Sequence, residues 1–175
     1  FHAAKYNERN RDETTVSPTN YVLSGERHAA GLDLDFAGRL TPAWELWASY
    51  SFIPDAKVDK GASNGTTLIQ GEVVGERPAM TPRHSGSLWT TYKLTPRWRV
   101  GLGLNARGSM KPLLSQIVAP KAVTADAMVE YTMEKVGFKL NVSNLTDKLW
   151  ADQLYRGHWV PGKPRTVQLT STLQF

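Results

Sequence analysis

The 175-residue sequence contains no cysteine, which excludes disulfide bonds and thiolate metal sites. It also has no run of 18 apolar residues, and such a run is what a membrane-spanning helix requires. A large excess of one charge is lacking too, because 21 basic and 16 acidic residues give a net charge of +5. Since the basic residues are scattered along the chain, we expect no nucleic-acid partner.

The first residues, Phe1-His-Ala-Ala-Lys-Tyr6, contain neither a start methionine nor the apolar core of a signal peptide. The length suits one domain or a piece of a larger one. We therefore expect residues 1–175 to be the carboxy-terminal part of a longer protein.

The sequence is rich in strict alternation of apolar and polar residues. At the carboxy-terminus, Val167, Leu169, Leu173 and Phe175 fall on one face, and only Ser171 interrupts the apolar row. Chain ends usually fray unless they are held, so a strand that alternates to its last residue should be paired, with its apolar face covered. The same period predicts eight strands, at about residues 1–7, 19–39, 43–54, 82–94, 97–109, 121–132, 136–146 and 164–175.

The connections between the predicted strands are sorted by length. Short turns alternate strictly with long links, which in an up-and-down antiparallel sheet places all turns at one end and all long loops at the other. Outer-membrane barrels sort their connections in this way, and soluble sandwiches rarely do. The turns are Thr41-Pro42, Thr95-Pro96 and Glu134-Lys135, and the links are 8–18, 55–81, 110–120 and 147–163.

Aromatic residues stand next to the short turns, all at one level of the predicted sheet. A bilayer interface selects such a girdle, because amphipathic rings favour the headgroup zone. The fold class predicted is therefore all-β, a transmembrane antiparallel up-and-down barrel. A soluble β-rich binding module would share only the alternation. The girdle residues are Trp44, Tyr92, Trp98, Tyr131 and Phe175.

Four segments occur in an order that resembles the carboxy-terminal third of TonB-dependent outer-membrane siderophore receptors. They are Tyr21–Leu34 (YVLSGERHAAGLDL), Pro82–Tyr92 (PRHSGSLWTTY), Asn144–Lys148 (NLTDK) and Pro161–Thr166 (PGKPRT). The ending 151–165 (ADQLYRGHWVPGKPR) is similar to catecholate receptors of the Fiu/PiuA type.

The resemblance implies a 22-stranded barrel with a plugged lumen, of which these strands would be the last eight. Residues 1–175 would then hold neither the plug domain nor the TonB box. A ferric siderophore would bind at the external mouth, and TonB–ExbB–ExbD would supply energy through the missing amino-terminal region. The carboxy-terminus would be periplasmic and the long loops extracellular, with outer-membrane lipid and lipopolysaccharide around the barrel. Iron would enter only as cargo, with no resident cofactor or metal.

The resemblance also implies roles for particular residues. The barrel-assembly machinery would recognise the terminal strand through Leu169, Leu173 and Phe175. Ferric catecholates are anionic and rich in rings, so their site should combine cations with aromatic surfaces. Packing of the last loop on its neighbours would explain its tryptophans equally well. The candidate ligand residues are Trp150, Tyr155, Arg156, His158, Trp159, Lys111 and Lys121.

The sequence gives little support for catalysis. The four histidines form no HExxH or other paired ligand spacing, and no GxSxG motif occurs. A barrel-embedded hydrolase using His84 and Ser85 is one alternative, and a small structural outer-membrane barrel is another. Asp33 and Asp35 lie two residues apart, and we expect them to face a hydrated wall where arginines of the plug or of neighbouring strands pair with them.

Overall fold

The computed structural model describes residues 2–17, 20–60, 73–112, 117–155 and 158–174, and the structural statements below refer to these residues. Within them, no helix is long and apolar enough to span a membrane. The regular structure consists of strands, which are β1 (His2–Ser17), β2 (Asn20–Thr41), β3 (Trp44–Lys60), β4 (His84–Lys93), β5 (Trp98–Arg107), β6 (Ala122–Thr132), β7 (Val136–Ser143), β8 (Ala151–Tyr155), β9 (His158–Pro161) and β10 (Thr166–Leu173).

Eight of these strands form one antiparallel sheet in the order β1-β2-β3-β4-β5-β6-β7-β10, and β8 and β9 form a separate hairpin. The eight sheet strands correspond to the eight predicted ones, so the all-β, up-and-down prediction is confirmed. β1 and β10 are the two edges of the described sheet, which is therefore open. An open sheet argues against the alternative of a small structural barrel closed by these strands alone.

Two of the predicted long links are wrong in part. The link 8–18 is strand almost throughout, because β1 continues to Ser17 and β2 begins at Asn20. β3 likewise continues to Lys60. The β3 extension alternates, with Ala56 and Val58 buried, and its continuation was missed. Residues 8–15 are all polar, so no apolar alternation marks this part of β1. Backbone pairing and opposite charges at paired positions, such as Arg9 and Glu26, favour the strand there.

A third correction concerns the link 147–163, which contains the hairpin of β8 and β9. Its strands have five and four residues. Such short strands around the polar segment 155–158 give too few alternating positions for a period of two to stand out.

The register aligns one apolar face across the sheet. One row of paired residues runs through Tyr92, Val100, Val129, Leu140 and Leu169 from β4 to β10. The side chains of this face are exposed: Leu102 is 46% exposed and Leu169 is 68% exposed. An apolar surface that crosses a whole sheet and remains uncovered needs a non-aqueous neighbour or a protein partner.

The short turns lie together at one end of the sheet, as predicted. The turn after β4 is held by Thr95, whose Oγ1 accepts the backbone N–H groups of Arg97 and Trp98 at 3.2 and 3.1 Å. Adjacent turns are also linked, since the Lys93 N–H donates to the Ala43 carbonyl oxygen at 2.9 Å.

Four of the five predicted girdle residues are described, and all four lie at the short-turn end. Trp44 is paired with Tyr92, and its Nε1 donates to Thr90 Oγ1 at 2.7 Å. The rings of Trp98 and Tyr131 are 4.6 Å apart. Phe175, the fifth, lies outside the described residues. The common level is therefore observed, whereas contact with a bilayer interface stays a prediction.

Candidate functional site at the long-loop end

The three loops at the other end of the sheet are bound to one another. The first loop, 73–83, contacts the second, 108–121, through a backbone hydrogen bond of 2.8 Å from the Met80 N–H to the Lys111 carbonyl oxygen. The Lys111 Nζ also lies 3.0 Å from Glu76 Oε2. These contacts hold the second loop against the first.

The β8–β9 hairpin rests on the second loop. Met110 and Ala119 form an isolated antiparallel bridge within that loop. Ala119 then joins Ala151 and Leu154 of the hairpin in a small buried apolar cluster, against which Met110 packs. This cluster is an apolar contact between the second loop and the hairpin.

Asn144 joins the two limbs of the last loop. Its Nδ2 donates to the carbonyl oxygens of Lys148 at 2.9 Å and Lys163 at 3.0 Å, and its Oδ1 accepts the Lys148 N–H at 3.0 Å. The side chain is only 4% exposed. Its own N–H donates to Asp126 Oδ1 at 2.8 Å, so the loop is fastened to β6 as well. We call Asn144 and these four contacts the asparagine clasp.

Backbone conformation explains why asparagine occupies this position. Asn144 has a φ of 50°, and asparagine is one of the few residues other than glycine that adopt the left-handed region readily. Three residues later, Asp147 Oδ1 accepts the Arg165 N–H at 2.8 Å. Sequence reasoning used Asn144–Lys148 only as a family signature and missed this role, although an asparagine next to a strand end is a turn signal.

Trp150 packs inside the base of the loop. A Cβ at Gly162 would overlap the Trp150 indole ring, and the Gly162 N–H donates to the Trp150 carbonyl oxygen at 2.8 Å. Glycine therefore leaves the space that the indole fills. The buried Nε1 of Trp150 has no hydrogen-bond partner among the described residues. Packing of the last loop on its neighbours therefore explains the presence of Trp150. Contact between Trp150 and a ligand stays a prediction.

The remaining candidate ligand residues are distributed around this end. His158 and Trp159 are exposed on β9, and Trp159 is 38% exposed. Tyr155 pairs with His158 in the backbone of the hairpin, while its side chain and all of Arg156 lie outside the described residues. Lys121 is exposed immediately before β6. The charge of Lys111 is paired with that of Glu76.

Two arginines at this end were overlooked by sequence reasoning. Arg77 Nη2 donates to the Pro54 carbonyl oxygen at 2.9 Å, and Arg107 Nη1 donates to the Asp152 carbonyl oxygen at 3.3 Å. The Nη1 atom of Arg77 and the Nε and Nη2 atoms of Arg107 are buried without a hydrogen-bond partner among the described residues. No motif marks them: Arg77 lies within the loop before β4, and Arg107 is the last residue of β5.

The electrostatics of Arg77 follow from this burial. Removal from water lowers the pKa of its guanidinium below the usual value, and the nearby charge of Arg83 lowers it further. A guanidinium stays protonated in proteins regardless. A cation that is partly dehydrated and partly unpaired favours the approach of an anionic oxygen.

The side chains that a barrel-embedded hydrolase would need are not brought together. His84 is paired with Phe52, and its ring stacks on the Phe52 ring at 4.8 Å. Its Nδ1 is hydrogen-bonded to the Tyr50 hydroxyl at 2.8 Å. Ser85 is the next residue of the strand and lies on the opposite face. Among the described residues, no group of three or more histidine or carboxylate side chains could hold a metal ion.

The sequence matches a known family of β-barrel proteins. The sequence profile of the TonB dependent receptor-like β-barrel family matches residues 1–145. The chain belongs to the TonB-dependent receptor family. The sheet is therefore part of a receptor barrel, and receptors of this family are proteins of the bacterial outer membrane.

Individual receptors of this family are similar in sequence to the chain. The chain is 29% identical over 156 residues to the probable TonB-dependent siderophore receptor PiuA of Acinetobacter baumannii, with 87% of the chain and 21% of the relative covered. It is 32% identical over 164 residues to the probable TonB-dependent receptor BfrD of Bordetella pertussis, with the same coverage. It is 30% identical over 169 residues to the catecholate siderophore receptor Fiu of Escherichia coli K12, covering 89% of the chain and 20% of Fiu.

Solved structures give the same result. The crystal structure of PiuA from Acinetobacter baumannii superimposes with a TM-score of 0.84 at 25% identity, over 97% of the chain and 25% of PiuA. The closed form of Fiu from Escherichia coli K12 gives a TM-score of 0.78 at 26% identity, over 98% of the chain and 24% of Fiu. The chain thus spans about a quarter or less of the receptors it matches.

Proposed function

We propose that the full-length protein is an outer-membrane receptor that takes up ferric siderophores of the catecholate type. The names of its relatives PiuA and Fiu support siderophore uptake, and that of Fiu supports the catecholate class. Residues 1–175 form the carboxy-terminal wall of the barrel, with the long loops outside and the carboxy-terminus in the periplasm. TonB–ExbB–ExbD energises uptake through the amino-terminal region of the receptor.

The observation that carries this proposal is the pair of partly unpaired arginines beneath the joined loops. A ferric catecholate presents clustered anionic oxygens, and a guanidinium binds such oxygens through two parallel N–H donors. The Nε and Nη2 atoms of Arg107 form such a donor pair, and both lack a partner among the described residues. Arg77 adds a further free N–H group at the same end of the sheet.

Aromatic surface is the second requirement of a catecholate site. Trp159 offers an exposed ring on β9 beside His158. We assign both residues, with Tyr155 and Arg156 of the same loop sequence 147–163, to contacts with the chelate rings and oxygens. Lys111 and Lys121 add positive charge from the neighbouring loop, and Trp150 supports the hairpin from within.

The apolar face of the sheet faces lipid in this proposal, and its rim contacts lipopolysaccharide. Leu169 and Leu173 are exposed on the edge strand β10. With Phe175, they present the alternating apolar pattern that the barrel-assembly machinery recognises. The girdle residues Trp44 and Trp98 then mark the periplasmic interface.

The binding proposal is tested on full-length receptor purified to equal folded yield. Arg156→Ala and Arg107→Ala should each weaken binding of a ferric tris-catecholate by about tenfold to a hundredfold, because a hydrogen bond to a charged group contributes about 1.5–3 kcal/mol. Arg97→Ala, at the short-turn end, is the matched control and should leave affinity unchanged.

Two further results bear on the ligand class and on energisation. An uncharged ferric hydroxamate should compete poorly with the ferric catecholate for binding to the receptor. If it competes as strongly as unlabelled catecholate, the assignment of the site by charge is rejected. A protonophore should stop uptake and leave binding intact. Unchanged affinity in both Arg156→Ala and Arg107→Ala would remove this end of the sheet from the binding site.

A further inference from the structure

The apolar face of the sheet carries a groove close to the short turns, away from the loops described above. It has a volume of about 290 Å³. Trp44, Tyr92 and Val100 are paired in one row and form the end nearer the turns. Thr90 and Leu102 belong to the next row toward the middle of the sheet. The groove therefore runs from the level of the aromatic girdle toward the middle of the apolar face.

The groove is apolar even though a threonine forms its floor. The Thr90 hydroxyl accepts the Trp44 Nε1–H group at 2.7 Å and donates to the Glu45 carbonyl oxygen at 3.0 Å. The polar group of the floor is thus satisfied within the sheet, and the Trp44 ring is held in place as one wall. Because threonine is smaller than the leucine, valine and aromatic residues around it, a groove remains between them.

The wall nearer the turns carries a polar group that is free to bind. Tyr92 is 46% exposed, and its hydroxyl makes no hydrogen bond among the described residues. A tyrosine has an apolar ring and a polar tip, and at a bilayer interface the tip lies in the headgroup zone. The Tyr92 hydroxyl can therefore donate to an oxygen of a lipid headgroup.

Two exposed cations stand at the same end of the groove. Lys93 follows Tyr92 directly, and Arg97 lies in the turn between β4 and β5. Neither side chain makes an ion pair in the described part of the chain. Glu45 and Glu130, at this level of the neighbouring strands, already have arginine partners at 3.0 and 3.9 Å. The rim of the groove therefore keeps positive charge, which complements an anionic headgroup.

We propose that this groove binds an anionic phospholipid of the inner leaflet. One acyl chain lies along the groove against Thr90 and Leu102, and the phosphate lies beside Lys93 and Arg97. An acyl chain gains from apolar contact and needs no polar partner, and long basic side chains extend along apolar surface to reach a headgroup. This assignment rests on the proposed function, in which the apolar face meets lipid and the short turns lie on the periplasmic side.

The test uses full-length receptor in detergent, titrated with palmitoyl-oleoyl phosphatidylglycerol or with phosphatidylcholine of the same acyl chains. Native mass spectrometry counts the bound lipid molecules. We expect one saturable site that prefers phosphatidylglycerol. Thr90→Phe fills the groove with an apolar ring and should weaken this site about tenfold, the effect of removing roughly two methylene groups from apolar contact. Ala125→Phe, on the same face of β6 and outside the groove, is the matched control and should change little.

The headgroup contact is tested by removing charge. Lys93→Gln and Arg97→Gln should each weaken phosphatidylglycerol binding about fivefold, which is the effect of one cation near an anionic membrane lipid. Binding of phosphatidylcholine should not change in either variant. Lys57→Gln, at the long-loop end, is the matched control and should leave both lipids bound as in the wild type.

Three outcomes would overturn the proposal. These are equal affinity for the two lipids, equal weakening by Thr90→Phe and Ala125→Phe, or a receptor dimer that Thr90→Phe dissociates, which would assign the groove to a second copy. If Thr90→Phe does not fold, Val100→Phe fills the same groove from β5. Binding of a ferric tris-catecholate by the wild-type receptor is measured in parallel. Its failure, with the phosphatidylglycerol site intact, would reject the proposed function and leave the lipid site in place.

Discussion

The two ends of the sheet differ in how completely their polar groups are satisfied. At the short-turn end, Thr95 accepts two backbone N–H groups, and the Trp44 indole donates to Thr90 at 2.7 Å. At the long-loop end, by contrast, Arg77, Arg107 and Trp150 keep buried donors without partners among the described residues. The polar groups of a tight turn can form all their hydrogen bonds with neighbouring residues. Buried donors without a hydrogen-bond partner are instead expected where another molecule or segment binds.

The largest effect should come from placing a charge on the apolar face that runs from one end of the sheet to the other. Leu102→Arg, near the middle of β5, should cost about 2–4 kcal/mol if the side chain meets the bilayer midplane. Asn105→Arg, on the polar face of the same strand, is the control. The measurement is the yield of heat-resistant, membrane-assembled full-length receptor. Failure of assembly in Asn105→Arg alone would reverse the assignment of the two faces.

A second prediction concerns the asparagine clasp at the long-loop end. Asn144→Ala removes the side-chain contacts to Lys148 and Lys163 and places alanine at a positive φ, so we expect a loss of about 2–4 kcal/mol. Proteolysis within 148–163 should become faster, as measured by limited digestion of purified receptor. Asn141→Ala, on β7, is the matched control. Equal digestion of both variants would show that the clasp does not hold the loop.

A smaller effect is expected at the short-turn end. Trp44→Phe and Thr90→Val each remove one partner of a hydrogen bond, and a double-mutant cycle should give a coupling of about 0.5–1.5 kcal/mol. Chemical unfolding of full-length receptor in detergent provides the free energies. Additive effects of the two substitutions would mean that the hydrogen bond contributes nothing to stability.

The smallest effect should depend on pH. His28 lies in the half of β2 nearer the long loops, with Nδ1 2.7 Å from Asp59 Oδ2 and Nε2 3.4 Å from Asp55 Oδ1. The Asp59 hydrogen bond, more than any other contact, raises the pKa of His28 above 6.5. The contacts of protonated His28 thus stabilise the folded state. This contribution is fully present below pH 6.5 and is lost as the pH rises through the raised pKa of the folded state.

The unfolding midpoint of the wild type should therefore fall slightly relative to His28→Gln as pH rises through that range. Asp59→Asn should remove most of the difference. A wild-type curve parallel to that of His28→Gln across the whole range would leave the His28 contacts without an effect on stability.

Sequence reasoning recovered the parts of the fold that depend on local alternation. The eight sheet strands and their sorting into a short-turn and a long-loop end follow from period two and turn composition. The extension of β1 to Ser17 was missed because residues 8–15 are all polar, so no apolar alternation marks them. The asparagine clasp was missed because its partners include Lys163, 19 residues away. The free donors of Arg77 and Arg107 depend on how three loops pack, which no local pattern encodes.

In the function proposed above, the two ends of the sheet face different compartments, and the ligand meets the long-loop end. The most direct measurement is labelling of intact cells with a membrane-impermeant thiol reagent, using full-length receptor that carries either Val118→Cys or Thr95→Cys. We expect Val118→Cys to be labelled in intact cells and Thr95→Cys only after the outer membrane is permeabilised. Labelling of Thr95→Cys in intact cells, with Val118→Cys protected, would mean that the orientation is reversed.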